Sequence, residues 1–203
     1  MNKLIIFDLD GVIFNSKENM KKSWKDVKTK LQLKVSFKTY FNNVGLPFKK
    51  ILQNLNIKKK NFLEAEKIYK KSSIDNFHLI KTYPYVYSTI NYLKKKKYTL
   101  AVLTSKDRSR TLKLLKKFNL NFKYVQCPTK NGLGKPNPGI LNLLQKKLKF
   151  KRKYIYYIGD TYLDYQFSKK SKINFIFSNY GYGKLKNKSV KKISKLSNLK
   201  NIF

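Results

Sequence analysis

Two short acidic spacings carry whatever chemistry this chain can do. Asp8 and Asp10 flank Leu9 directly after an apolar run, and Asp160 and Asp164 follow a second such run at residues 154–158. Acidic residues number only 10 in a chain of 203. If both runs are parallel strands of one sheet, the loops after them share one edge, where ligands bind in such sheets. Four carboxylates gathered there repel one another unless a cation or a proton intervenes. Oxygen-only ligands favour Mg²⁺, which keeps waters and a substrate phosphate in its octahedron. The same acids could instead be helix caps or surface ion pairs, and Asp160 is placed to cap a following helix. Asp8 and Asp10, with Gly11 next, are harder to read as caps.

Two further groups belong to that edge. Thr104-Ser105 ends an apolar run at residues 99–103 and offers hydroxyls and backbone N–H groups to an anion. Lys135 lies in Gly132-Leu133-Gly134-Lys135-Pro136, ahead of an expected helix, where its charge can meet a phosphate and balance the carboxylates. One lysine among so many means little; its place between Gly134 and Pro136 is the informative part.

The elements that must position these groups follow from periodicity. Residues 3–7 read as a buried strand. From about 17 to 80 the apolar residues fall at helical spacing, as in Trp24, Val27 and Leu31, and Gly45-Leu46-Pro47 interrupts them with a turn. After Tyr83-Pro84, helix and strand alternate. Strands are expected at 99–103, 122–125, 154–158 and 173–177. Helices are expected at 85–93, after an Asp107 N-cap, and from Pro136 in a first turn. Alternation of this kind implies an α/β fold, a parallel sheet with right-handed crossovers. The helical stretch then reads as an insert after the first strand. The tail from Lys184 is expected to pack Val190, Ile193, Leu196 and Leu199 on the sheet rather than lie on a membrane.

Composition sets the outer bounds. The length suits one compact domain with an inserted subdomain. Hydrophobic residues at 41% exclude a disordered or collagen-like chain. A single cysteine, Cys127, excludes an intramolecular disulfide framework. No segment is apolar for 18 residues, and four apolar residues near the start are too few for a signal-peptide core, so a cytoplasmic protein is expected. The formal charge of +37 invites a nucleic-acid reading. However, the lysines are spread along the chain and only 3 of the 47 basic residues are arginine. Residues with A/T-rich codons dominate, so nonspecific attraction to polyanions is expected and a dedicated nucleic-acid partner is not.

Four segments together resemble the haloacid dehalogenase superfamily, in particular its phosphoglycolate phosphatase-like members with a helical cap. They are Phe7-Asp8-Leu9-Asp10-Gly11-Val12-Ile13-Phe14-Asn15-Ser16, Leu103-Thr104-Ser105-Lys106, Gly134-Lys135-Pro136-Asn137-Pro138 and Ile158-Gly159-Asp160-Thr161-Tyr162-Leu163-Asp164. The resemblance runs over nearly the whole chain. It implies a Rossmann-like α/β core from residues 1–14 and 83–203, with a helical cap at 15–82. It also implies a Mg²⁺-dependent phosphatase of a small phosphorylated metabolite. Asp8 would be the nucleophile and Asp10 the general acid/base. Mg²⁺ would be held by Asp8, Asp10 through its backbone carbonyl, and Asp160, with Asp164 supporting. Thr104, Ser105 and Lys135 would hold the phosphate, and Gly45 would lie in the cap segment that touches substrate. The same signatures leave open a phosphomutase of the β-phosphoglucomutase type, a polyanion-binding protein, and a phosphatase of nucleic-acid ends. Substrate identity and oligomeric state are left open.

Overall fold

The computed structural model describes residues 3–129 and 131–203. Six parallel strands form one sheet in the order β5-β4-β1-β6-β7-β8. They are β1 (Leu4–Phe7), β4 (Thr99–Leu103), β5 (Tyr124–Gln126), β6 (Ile155–Gly159), β7 (Asn174–Ser178) and β8 (Lys191–Ile193). A two-stranded antiparallel ladder, β2 (Phe14–Asn15) with β3 (Lys81–Thr82), stands apart. Helices α5 (Val86–Lys95), α6 (Arg108–Lys117), α7 (Gly139–Gln145) and α8 (Tyr162–Lys170) flank the sheet.

The central strand shows why the sheet is covered on both sides. Leu4, Ile5, Ile6 and Phe7 are all fully buried, and strand side chains alternate faces. Ile5 and Phe7 join Val86, Ile90 and Leu199 on one face; Leu4 and Ile6 join Leu141, Leu144 and Phe167 on the other. Burying each such aliphatic side chain contributes about 1.5–3 kcal/mol.

Between β2 and β3 the chain forms α1 (Lys17–Lys30), α2 (Phe37–Phe41), α3 (Phe48–Asn54) and α4 (Phe62–Asp75) around an apolar cluster of their own. Trp24 stacks on Tyr40 with ring centroids 4.5 Å apart, and the Tyr40 hydroxyl donates to Tyr69 Oη at 2.8 Å. Buried Asn19 on α1 donates to the Ser73 and Asn76 carbonyls, locking α1 to the end of α4.

Several local expectations shift. Pro136 lies in a turn, and α7 starts only at Gly139, because three residues are spent turning Lys135 into the sheet edge. Asp160 does not cap α8: Thr161 does, in a capping box with Asp164. Asp107 does cap α6, accepting from the Arg110 N–H at 3.1 Å. The tail buries Ile193, Leu196 and Leu199 on the sheet and adds the edge strand β8, which its lysines had hidden.

Candidate active site

The loops leaving β1, β4 and β6 meet at one edge of the sheet. Asp8 follows β1 directly, and its N–H donates to the Ile158 carbonyl at 2.8 Å, which carries the ladder one residue further. Its Oδ1 accepts from Leu9 N–H at 2.7 Å, and its Oδ2 lies 2.8 Å from Lys135 Nζ. Burial pushes the Asp8 carboxyl up to about 7 against the pull of Lys135.

Lys135 is fully buried and threefold engaged. Its Nζ also meets Asp164 Oδ1 at 2.7 Å and Tyr157 Oη at 2.8 Å. Burial opposes its charge, but Asp164 and Asp8 outweigh burial and raise its pKa. Tyr157 passes its own proton to the Leu103 carbonyl at 2.9 Å, tying β6 to the end of β4. The other oxygen of Asp164, Oδ2, accepts from Asp160 N–H, Thr161 N–H and Thr161 Oγ1. Asp164 Oδ2 is therefore saturated by protein donors, while Oδ1 is held by Lys135.

Asp160 differs. Its Oδ2 accepts from Tyr182 N–H at 2.7 Å, while its Oδ1 is buried with no hydrogen-bond partner. Burial, then Asp164 and Asp8, push its carboxyl far above the usual range. Among the described residues the carboxylates of Asp8, Asp160 and Asp164 form one buried group, with ligand atoms within 4.8 Å of one another. An orphaned buried oxygen beside a second carboxylate fits a hard cation, which would satisfy that oxygen and hold both groups ionised. Two glycines make room for the Asp160 side chain. Gly11 sits at φ +86°, and a Cβ there would fall 2.0 Å from Asp160 Oδ2; one on Gly181 would fall 2.3 Å from Asp160 Cβ.

Asp10 stands outside that acidic group. Its Oδ1 accepts from Ser16 Oγ at 2.6 Å, and its Oδ2 lies 3.0 Å from Lys106 Nζ. Thr104 Oγ1 accepts from Lys106 N–H at 3.2 Å. Ser105 Oγ donates to the Gly45 carbonyl at 2.5 Å, so the helical layer is latched to the loop after β4. Gly45 needs its φ of +108° there, and a Cβ would press Leu163 and Thr161. A cavity of about 60 Å³ lies between the layers, floored by Asp8, Asp10 and Thr104 and roofed by Tyr40, Phe48 and Tyr69.

The sheet edge thus gathers Asp8, Asp160, Asp164 and Lys135 behind the cavity, with Asp10, Thr104, Ser105 and Gly45 around its walls. The sequence reading gave no role to Lys106, Ser16 or Tyr157. Ser16 and Lys106 lie inside recognised motifs; Tyr157 gives no signal, because its role arises from hydrogen bonds across the fold.

The family model for haloacid dehalogenase-like hydrolases matches residues 5–178. No curated protein matches the chain. Solved structures resemble it over nearly its full length. A predicted phosphatase from Clostridium acetobutylicum is 23% identical with a TM-score of 0.87, covering 100% of this chain and 98% of that one. A predicted phosphoglycolate phosphatase from Haemophilus somnus 129pt is 20% identical with a TM-score of 0.85, covering 99% and 97%. CbbY from Rhodobacter sphaeroides, in complex with phosphate, is 15% identical with a TM-score of 0.83, covering 98% and 96%. The sheet order, the acid-bearing loops and a match over most of the length agree: the chain belongs to the haloacid dehalogenase-like hydrolase family.

Proposed function

We propose that this protein is a Mg²⁺-dependent phosphatase of small phosphorylated metabolites, working through a phosphorylated Asp8. The observation that carries the reading is the pairing of Asp8 with an unsatisfied Asp160 oxygen on one side and buried Lys135 on the other. Mg²⁺ would be held by Asp8, Asp160 and the Asp10 backbone carbonyl, and would supply positive charge to the phosphoryl oxygens.

The chain's own residues do the rest. An Asp8 oxygen bonds to phosphorus as the ester P–O bond breaks, and Asp10 gives its proton to the departing oxygen. Water then attacks phosphorus, Asp10 takes its proton, and the P–O bond to Asp8 breaks to release phosphate. Lys135 keeps Asp8 in place and offsets its charge; the transfer is mostly positioning plus electrostatics. Thr104 and the Ser105 N–H line the space for phosphoryl oxygens. Asp164, engaged by Lys135, Asp160 and Thr161, supports Lys135 and Asp160 rather than adding a ligand atom.

Residues 15–82 read as the cap and residues 1–14 and 83–203 as the core. The β2–β3 ladder at their junction and the separate apolar cluster of the helices support that division. The relatives named as phosphatases, and the phosphate bound in CbbY, support the reaction class.

The test is phosphate release from a generic phosphoester with Mg²⁺, compared between the wild type and Asp8→Asn. Loss of turnover in a variant of native circular dichroism is expected. Turnover at the wild-type rate would overturn the assignment. Release without a bisphosphate activator separates a phosphatase from a phosphomutase.

A further inference from the structure

The cavity above Asp8 is not a closed chamber. Phe48, Tyr69, Ser105 and Arg110 line both it and a larger cleft beside it, and so form a neck between the two. The inner space is about 60 Å³ and the outer about 370 Å³. A water needs roughly 10–15 Å³ on such a measure, so the inner space takes a phosphoryl group and little else. The remainder of an ester has to pass the neck and lie in the outer cleft.

The walls of that cleft are charged in a particular way. Lys49, Glu66 and Lys70 face it from α3 and α4; Asp107, Arg108 and Arg110 face it from the start of α6. Lys70 is paired with Glu66 at 2.6 Å, and Arg110 Nε with Asp107 Oδ2 at 2.5 Å. Lys49 and Arg108 meet no acidic partner among the described residues; Arg108 Nη1 donates only to the Val125 carbonyl. Arg110 is buried, with its guanidinium carbon 5.1 Å from the Tyr69 ring centre, while Asp107 takes only its Nε edge.

Composition does not account for this. The chain meets almost all its demand for positive charge with lysine and has only three arginines. Two of them, Arg108 and Arg110, stand at this neck and cleft. A planar guanidinium offers paired donors that a lysine cannot, which suits a carboxylate or phosphoryl group.

We infer that Arg110, with Arg108 and Lys49, receives a second anionic group, a carboxylate or another phosphoryl group, on the leaving portion of the substrate. That group lies several bonds from the reacting phosphate, beyond the neck. The inference rests on the phosphatase reading and narrows its substrate class to phosphate esters with an anionic far end.

The experiment compares phosphate monoesters of matched length ending in a carboxylate, a phosphate or a neutral amide, with p-nitrophenyl phosphate as a tail-less reference. Wild-type kcat/KM for one anionic end should exceed the amide by about tenfold or more, as lost charge-assisted hydrogen bonds imply. In Arg108→Gln and Arg110→Gln that ratio should fall towards one; in Arg110→Lys it should recover only in part. The carboxylate and phosphate series tell which anion is preferred. Hydrolysis of p-nitrophenyl phosphate with no anion preference, or a preference that survives both glutamine variants, overturns the inference and leaves the phosphatase reading standing. If no ester is hydrolysed, that reading fails, and calorimetric binding of the same esters to the wild type decides the inference. Arginine-dependent selectivity for anionic ends upholds it, and equal binding of all ends overturns it.

Discussion

Lys106 Nζ lies 3.0 Å from Asp10 Oδ2, with the lysine buried and the carboxylate nearly so. Ser16 Oγ holds the opposite oxygen at 2.6 Å. The residue read as the proton carrier is thus clamped at the cavity wall by two donors, and Lys106 acts through it as a positioning residue. Lys106→Met should lower kcat by about 10–100-fold, a part of the roughly 10²–10⁴-fold that general acid/base catalysis supplies, while KM changes little. Lys106→Arg should restore part of the loss. Rapid-quench measurement of phosphorylated enzyme checks the placement: slow release of phosphate from Asp8 is expected, because Asp10 must orient the water. Unchanged kcat would remove Lys106 from the mechanism.

Asp8 carries a pH signature. Its folded pKa is raised from 3.8 to about 7 by burial, so the folded metal-free protein binds a proton more tightly than the unfolded chain does. The stabilisation is fully present below the unfolded pKa and is lost as pH rises through about 7. Asp8→Asn removes the ionisation while keeping the shape. Without metal, the melting temperature of Asp8→Asn minus that of the wild type should grow from about pH 4 to about pH 8. Added Mg²⁺ should raise the wild-type value at the higher pH, where the carboxylates are free to bind it, and the variant's far less. A difference independent of pH would place the Asp8 proton outside the folding equilibrium.

Sequence periodicity found the sheet because its strands are buried on both faces. Residues 99–103 are predicted and observed alike, and 154–158 shifts by one residue to Ile155–Gly159. It missed β8, where Lys191 and Lys192 are exposed and only Ile193 is buried, since an edge strand need not be apolar. At the site, Asp8, Asp10 and Asp160 were legible because acids are rare here and stand directly after strands. The engagement of both Asp164 oxygens was not, since it comes from the Thr161 capping box and from Lys135 reaching across the fold. Likewise nothing in the spacing of Ser105 and Gly45 announces a hydrogen bond between loops 60 residues apart.

Asp164 supplies acceptors to Lys135, Asp160 and Thr161 at once. Asp164→Ala would leave Lys135 with a single carboxylate and three donors around Thr161 and Asp160 without an acceptor. Breaking a buried charge pair in this way costs about 3–5 kcal/mol. By contrast Asp75→Asn, which loses only an exposed pair with Lys71, should leave stability nearly unchanged. Urea denaturation of both variants without metal gives the contrast. Equal stability would mean that Asp164 is not the structural support of the site.

Gly11 tests the proposed metal site apart from the rest of the fold. Its φ of +86° and the 2.0 Å approach of a would-be Cβ to Asp160 Oδ2 act on the same atom group. Gly11→Ala must push Asp160 away from Tyr182 N–H and from Asp8, while β1 and β6 keep their ladder from Leu4 to Phe7. Losing the N–H that orients a metal-binding carboxylate typically weakens metal affinity by about 10–100-fold. Mg²⁺ titration followed by the rise in melting temperature should show that weakening, with the metal-free variant folded and giving native circular dichroism. Should Gly11→Ala bind Mg²⁺ as the wild type does, Asp160 is not a ligand, and the cation belongs elsewhere in the acidic cluster.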